Sequence, residues 1–183
     1  VGTRITPIFR GDIIAVNIEN VELPDGRQFD LEIVRHPGGA AAVAINERNE
    51  VCLLRQYRHA ADGWLWELPA GKLDYQEEPL QTAQRELHEE AGIHARSWET
   101  LGSLVSSPGV FTEVIYLYLA RDLTSIPSRT EEDECIEVYW QPFSTAITWA
   151  NEGKIVDAKT LIGLFRAANL LQNQVSARTG DPT

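Results

Sequence analysis

Gly71 to Ile93 reads GKLDYQEEPLQTAQRELHEEAGI, and the rest of the chain is organised around it. Pro79 suits the first turn of a helix. Leu80, Ala83, Leu87 and Ala91 then recur at helical spacing and predict a buried stripe. Gly92 stops the helix as a C-terminal cap residue would. On that helix Glu86 and Glu90 lie one turn apart on one face, with Glu89 beside them. Like charges so placed repel. Arg85 can pair with Glu89, and bound cations best explain the acidic excess that remains. Carboxylate oxygens suit hard divalent metals, Mg²⁺ or alternatively Mn²⁺.

A lone E-x-x-E-E would read as a solvated acidic face. Gly71 shifts that reading. The segment Trp64-Leu65-Trp66-Glu67-Leu68-Pro69-Ala70 ends at a Pro-Ala-Gly turn. Such a turn would bring a backbone carbonyl near the carboxylates as one more hard oxygen ligand. The whole pattern, G-x5-E-x7-R-E-U-x-E-E-x-G-U with U apolar, resembles the Nudix box, and every fixed position is filled. The resemblance implies a hydrolase that cleaves a nucleoside diphosphate linked to another moiety. In that family the box forms a loop–helix–loop that holds divalent cations against the pyrophosphate.

Length and composition bound the alternatives. The 183 residues fit one main domain with a small appendage. A formal charge of −11 argues against a nucleic-acid backbone or an anionic membrane as partner. An acidic enzyme still binds a phosphorylated substrate when metals invert the local field. Cys52 and Cys135 form neither a disulfide framework nor a metal pattern, which fits a reducing cytoplasm. Cys52, inside an apolar run, reads as core. No apolar run reaches membrane-spanning length, and the first residues do not read as a signal peptide. The lack of methionine suggests a start that has been trimmed.

Upstream of the box the chain reads as strands. Asp12–Ile18 and Asn20–Leu23 carry β-branched residues, Pro24-Asp25-Gly26-Arg27 is a turn, and Phe29–Val34 resumes as a strand. This antiparallel sheet, residues 1–36, is too small to hold a core alone. It must pack on another surface, and its Ile13, Ile14, Val16, Ile18 and Val21 favour a second copy of the chain. His36-Pro37-Gly38-Gly39 is a turn-rich break. The main domain spans residues 37–175, and 176–183 reads as a polar, frayed tail.

Within the main domain, Ala41–Ile45, Val51–Leu54, Trp98–Leu104, Val114–Ala120 and Ile136–Trp140 predict strands. Of Trp64 and Trp66, which alternate about Leu65, one is expected in the core and the other on a pocket wall. A loop is predicted from Asp122 to Asp133, with an acidic run Glu131–Glu134. Phe143–Asn151 predicts a short helix closed by Gly153. Asp157–Gln172 predicts an amphipathic helix with Leu161, Leu164, Phe165, Ala168 and Leu171 on its apolar side. Strands on both sides of one acidic helix, with helices at the end, give an α/β sandwich around a mixed sheet. The Nudix resemblance implies the same α/β/α architecture.

Three features are similar to the ADP-ribose pyrophosphatase branch of that family. They are Pro108 in Ser107-Pro108-Gly109, the segment Trp66–Gly71, and the closing motif Gly153–Thr160. Hydrolases of other nucleoside diphosphate sugars share much of this. By resemblance, Glu86 and Glu90 are the main metal ligands, with Glu89 beside them and the Ala70 carbonyl completing the set. Arg85 holds the box carboxylates, and Glu77 supports the loop or a ligand water. Arg58 matches a phosphate-binding position, Arg35 lies where the branch approaches the nucleobase, and Glu113 and Pro108 belong to the substrate-lining loop. The catalytic base comes from a later loop, at Glu132 or alternatively Glu134, with Glu89 in the box as a further candidate. The N-terminal sheet is exchanged across a homodimer, which would bring Phe9 or Arg10 towards the nucleobase. A non-catalytic sensor built on this fold would lose box carboxylates, and none is lost here.

Overall fold

The computed structural model describes residues 4–127 and 135–179. The elements run β1 (Arg4–Arg10), β2 (Ala15–Glu22), β3 (Gln28–Arg35), β4 (Gly39–Ala44), β5 (Glu50–Arg58), β6 (Gly63–Glu67), β7 (Ala70–Lys72) and α1 (Pro79–Ala91). They continue with β8 (Ile93–Val105), β9 (Val114–Ser125), β10 (Ile136–Pro142), α2 (Phe143–Asn151) and α3 (Ala158–Thr179).

β4 is the spine. Its sequence GAAAVA is buried at every position. Alternation along the strand divides two cores. Ala41 and Val43 join Leu53, Leu117, Leu164 and Ala167, whereas Ala42 and Ala44 join Leu87, Ile93 and Ala95. The sheet order is β7-β4-β9-β8, with β4 and β9 parallel and the other pairs antiparallel. α1 packs on this sheet beside the second core, and α3 packs beside the first, with α2 against α3. A second antiparallel sheet, β10-β5-β6, completes the sandwich. Small residues along β4 let both helical layers approach the sheet closely. Burying a side chain such as Leu87 there contributes roughly 1.5–3 kcal/mol.

α1 forms where the spacing predicts it. Pro79 opens it, the Gln81 side chain accepts from the Glu78 N–H at 3.3 Å, and Gly92 closes it at φ 63°. Ala83 and Leu87 are fully buried, with Leu80 and Ala91 half-buried at the margins.

β1, β2 and β3 make a separate antiparallel sheet. Pro7 sits in its edge strand β1, where a missing N–H is tolerated. The sheet meets the loop after β8 through Val34, which donates to Val110 O at 2.7 Å and accepts from Thr112 N at 3.0 Å.

Several boundaries differ from the sequence reading. β2 starts at Ala15 because residues 11–14 close a turn, with Gly11 N–H donating to Ile14 O at 2.9 Å. β8 begins at Ile93 and β9 runs on to Ser125, since Ile93 pairs with Ser125 and the ladder continues past the apolar stretch. Asp122–Ser125 is therefore strand, where a loop is predicted. α3 continues through Ser176 to Thr179 instead of fraying. Phe165, placed on the apolar side, is 41% exposed. Trp66 is the core member of its pair, whereas Trp64 packs edge-on against Tyr57 at the surface, with ring centroids 5.9 Å apart. Trp64 does not line the cavity described below. The acidic run Glu131–Glu134 lies outside the described residues.

Candidate active site

Glu86 and Glu89 of the box helix line a cavity of about 690 Å³. Arg85, in the second turn of α1, gathers Glu86 and Glu89 of the helix and Glu77 from the segment before it. Its Nε and Nη2 donate to the two Glu77 oxygens at 3.0 Å each. Its Nη1 donates to Glu86 Oε1 at 2.6 Å and Glu89 Oε2 at 3.0 Å. Hydrogen bonds from Arg85 hold the Glu77 carboxyl down at about 2, helped by a 2.8 Å bond from Thr82 Oγ1. The same contacts raise the Arg85 guanidinium above its ordinary value, with the Glu77 hydrogen bond the largest cause.

Gly71 pairs with Ala40 across the β4–β7 ladder and lies under the Glu86 carboxylate. A Cβ at position 71 would sit 1.9 Å from Glu86 Oε1. Only a glycine admits the carboxylate there. Glu90, 2% exposed, accepts from the Ala70 N–H at 2.8 Å. The turn before the box therefore contacts Glu86 through Gly71 and Glu90 through the Ala70 N–H. Ala70, Glu86 and Glu89 line the cavity.

Among the described residues, no three His, Cys, Asp or Glu side chains converge on one point as a finished metal cage. The donor chemistry nonetheless fits a hard divalent cation. Glu86, Glu89 and Glu90 offer only oxygen, on one helix face, against a backbone too close for a methyl group. Arg85 partly neutralises Glu86 and Glu89 in the arrangement described here.

Arg58, Asp157 and Lys159 also line the cavity. Arg58 donates to both oxygens of Glu67, at 2.8 and 2.9 Å. Lys159 also bonds Glu67, and it reaches Asp157 Oδ1 at 3.1 Å. Glu67 is 1% exposed. Burial pushes its carboxyl up, but the hydrogen bond from Arg58 and the charges of Lys159 and Arg58 outweigh that, so the net displacement is downward. Asp157 caps α3, accepting from Thr160 N at 3.0 Å and Thr160 Oγ1 at 2.6 Å. Thr160 Oγ1 in turn accepts from Leu68 N at 2.9 Å, tying the α3 start to the turn before the box.

Of the residues singled out by sequence, Ala70, Arg58, Arg85, Glu86, Glu89 and Glu113 line this cavity. Glu90, Arg35 and Pro108 do not. Arg35 pairs with Glu19, a buried carboxylate of β2, and Pro108 is exposed in the loop after β8. Glu132 and Glu134 fall outside the described residues. The sequence reading missed Asp157, Lys159 and His36 as cavity-lining residues, and Glu67 as the carboxylate that holds Arg58 and Lys159. A signal existed for Glu67, a lone acid in the apolar run Trp66–Leu68. Cys52 is core as expected, its thiol pushed up to about 12 by burial, with Glu90 adding to the effect.

A mixed-sheet sandwich that sets a loop–helix–loop of carboxylates beside a cavity lined by acids and bases defines a Nudix-type fold and site. The chain belongs to the Nudix family, and the model for the NUDIX domain matches residues 35–161. It is 36% identical to the ADP-ribose pyrophosphatase of Bacillus subtilis (strain 168), over 84% of each chain. It is 38% identical to the methanol dehydrogenase activator of Bacillus methanolicus, over 86% of each. A GDP-mannose pyrophosphatase of Cronobacter sakazakii is 38% identical over 73% of this chain and 78% of its own. A solved structure of an ADP compounds hydrolase superposes with a TM-score of 0.80 over 93% of each chain, at 21% identity, which shows the shared fold. Family, box and relatives make this chain a Nudix hydrolase. Nudix ADP-ribose pyrophosphatases work with divalent metal ions. Among the described residues, no helix is long and apolar enough to cross a membrane.

Proposed function

We propose that this chain hydrolyses the diphosphate bond of a nucleoside diphosphate sugar, with ADP-ribose the foremost substrate and AMP and ribose 5-phosphate the products. The observation that carries this reading is the contact of Glu86 with the Gly71 backbone inside a complete acidic box, facing the Arg58–Glu67–Lys159 wall. Glu86, Glu90, Glu89 and the Ala70 carbonyl would hold Mg²⁺, with Mn²⁺ as the alternative ion. Bound there, the ions would neutralise the diphosphate and acidify water.

The chain's own groups do the rest. Arg58 is fixed by two hydrogen bonds to Glu67 and keeps a planar cation at the cavity wall for a phosphoryl oxygen. Arg85 holds Glu77, Glu86 and Glu89 in place. Glu132, or Glu134 in its place, takes the proton from the attacking water. The water oxygen forms the new bond to phosphorus as the bond to the bridging oxygen breaks. Holding water and diphosphate in line supplies much of the acceleration.

The protein would act as a homodimer in the cytoplasm, with no nucleic acid or membrane as partner. Ile5, Ile8, Phe9 and Ile13 are each more than half exposed on the N-terminal sheet, an apolar surface that a second copy would cover. Ile13 also lines the cavity, so that assembly and substrate binding would be linked.

A second reading, hydrolysis of another nucleoside diphosphate sugar, is favoured by the similarity to GDP-mannose pyrophosphatases. One screen separates the two. The native protein with Mg²⁺ is given ADP-ribose, GDP-mannose and other nucleotide sugars, and kcat/KM is compared. Preference for ADP-ribose supports the first reading, and a higher value on GDP-mannose selects the second.

A further inference from the structure

Gln56 is a polar side chain in β5 that nothing above uses. It is 4% exposed and lines the cavity. β5 is the central strand of its sheet, and Gln56 stands between Ile136 of β10 and Leu65 of β6. Cys52, four residues earlier, packs with Leu87 of α1, and Arg58 comes two residues later. Side chains at this spacing share one strand face. Gln56 therefore falls between the core under α1 and the arginine of the cavity.

Among the described residues, no group hydrogen-bonds to the Gln56 amide. The only wholly enclosed side-chain nitrogen or oxygen without a partner there is Trp66 Nε1. The Gln56 amide is thus neither paired nor sealed in, and the space it meets is the cavity. An amide taken out of bulk water with no partner costs stability. An apolar side chain of similar shape is neutral or better at such a place. The fold gains nothing from a glutamine here, whereas a ligand in the cavity gains N–H donors.

The neighbouring cation points to the ligand group. Arg58 spends Nε and Nη2 on Glu67. Among the described residues nothing accepts from its Nη1, and Arg58 lines the same cavity. One nitrogen cannot serve all the oxygens of a diphosphate, which only accept. The Gln56 amide adds donors on the same strand face without a further charge to bury.

We infer that Gln56 is a further substrate-contacting residue, its amide N–H groups donating to the diphosphate beside Arg58. This rests on the nucleotide-sugar reading and adds a neutral donor to it.

The test sets the native protein beside Gln56→Met, which keeps length and removes the amide, and Gln56→Glu, which keeps shape and exchanges donors for charge. kcat/KM on ADP-ribose with Mg²⁺ is measured for each, with the melting temperature taken separately without ligand. Gln56→Met should melt no lower than the native protein and lose about tenfold or more in kcat/KM. Gln56→Glu should lose more than Gln56→Met, because a carboxylate repels phosphoryl oxygens. Affinity for an ADP-ribose analogue with a methylene bridge in the diphosphate, read by calorimetry, should fall in the same order. Melting of Gln56→Met well below native would make the amide a structural group and overturn the inference. Native-like kcat/KM in Gln56→Met would overturn it as well. So would a smaller loss in Gln56→Glu than in Gln56→Met, which would select a hydroxyl or a water as the group met. Each of these results leaves nucleotide-sugar hydrolysis standing, whereas no hydrolysis of any nucleotide sugar by the native protein would overturn both.

Discussion

Arg85 grips both oxygens of Glu77, with Nε and Nη2 each 3.0 Å from a carboxylate oxygen, while its third nitrogen spans Glu86 and Glu89. One guanidinium thus fastens the loop before α1 to the acids on it. The Glu77 carboxyl, ordinarily at 4.5, sits at about 2 because of those hydrogen bonds. A depressed carboxyl favours the folded state above its unfolded value and loses that contribution as pH falls through its folded value. The native protein should therefore lose thermal stability between pH of about 4.5 and about 2, and Glu77→Gln should show a shallower loss across that window. Parallel melting-temperature profiles for the two proteins would show that this pair does not fasten the loop.

Gly71 predicts a separation of fold from activity. In Gly71→Ala the new methyl would meet the Glu86 carboxylate, the mobile end of a long side chain, which can swing aside. Stability should fall by no more than about 1–2 kcal/mol. Turnover should fall by roughly a hundredfold, because the displaced group is one the site requires. Calorimetry beside steady-state kinetics checks this, and the account is wrong here if activity survives.

The glutamates of the acidic run Glu131–Glu134 make a third test. Glu132→Gln should lower kcat while leaving substrate and metal affinity nearly unchanged, as expected of a group acting in the transition state. The same behaviour in Glu134→Gln alone would move the base by two positions. Native turnover in both variants would point back to the box, at Glu89.

The N-terminal sheet gives a fourth. Removing residues 1–30 should convert a dimer to a monomer in light scattering and raise KM, although the box is untouched. A native protein that is monomeric at micromolar concentration and fully active would contradict the assembly.

The sequence made some of this legible because the determinants were local. α1 could be read from Pro79, the Ala83–Leu87 stripe and Gly92, all within four turns of helix. β4 could be read from an unbroken apolar run. What stayed hidden depends on partners far along the chain. β9 extends through Asp122–Ser125 because Ile93–Ala95 offers a ladder, which needs backbone and no apolar side chain. Buried Glu67 is balanced by both Arg58 and Lys159, and no single stretch carries that trio. His36 reads as part of a turn until Gly38 and Glu113 are seen around its ring.

The central claim is that the Glu86–Glu90 face of α1 holds the metal ions on which diphosphate hydrolysis depends. Conversion of ADP-ribose to AMP, followed across a Mg²⁺ titration for native protein, Glu86→Gln and Glu90→Gln, tests it most directly. Both variants should remain folded and lose roughly a hundredfold in turnover, about 3 kcal/mol of transition-state stabilisation. Native-like rates in both variants at limiting Mg²⁺ would contradict it.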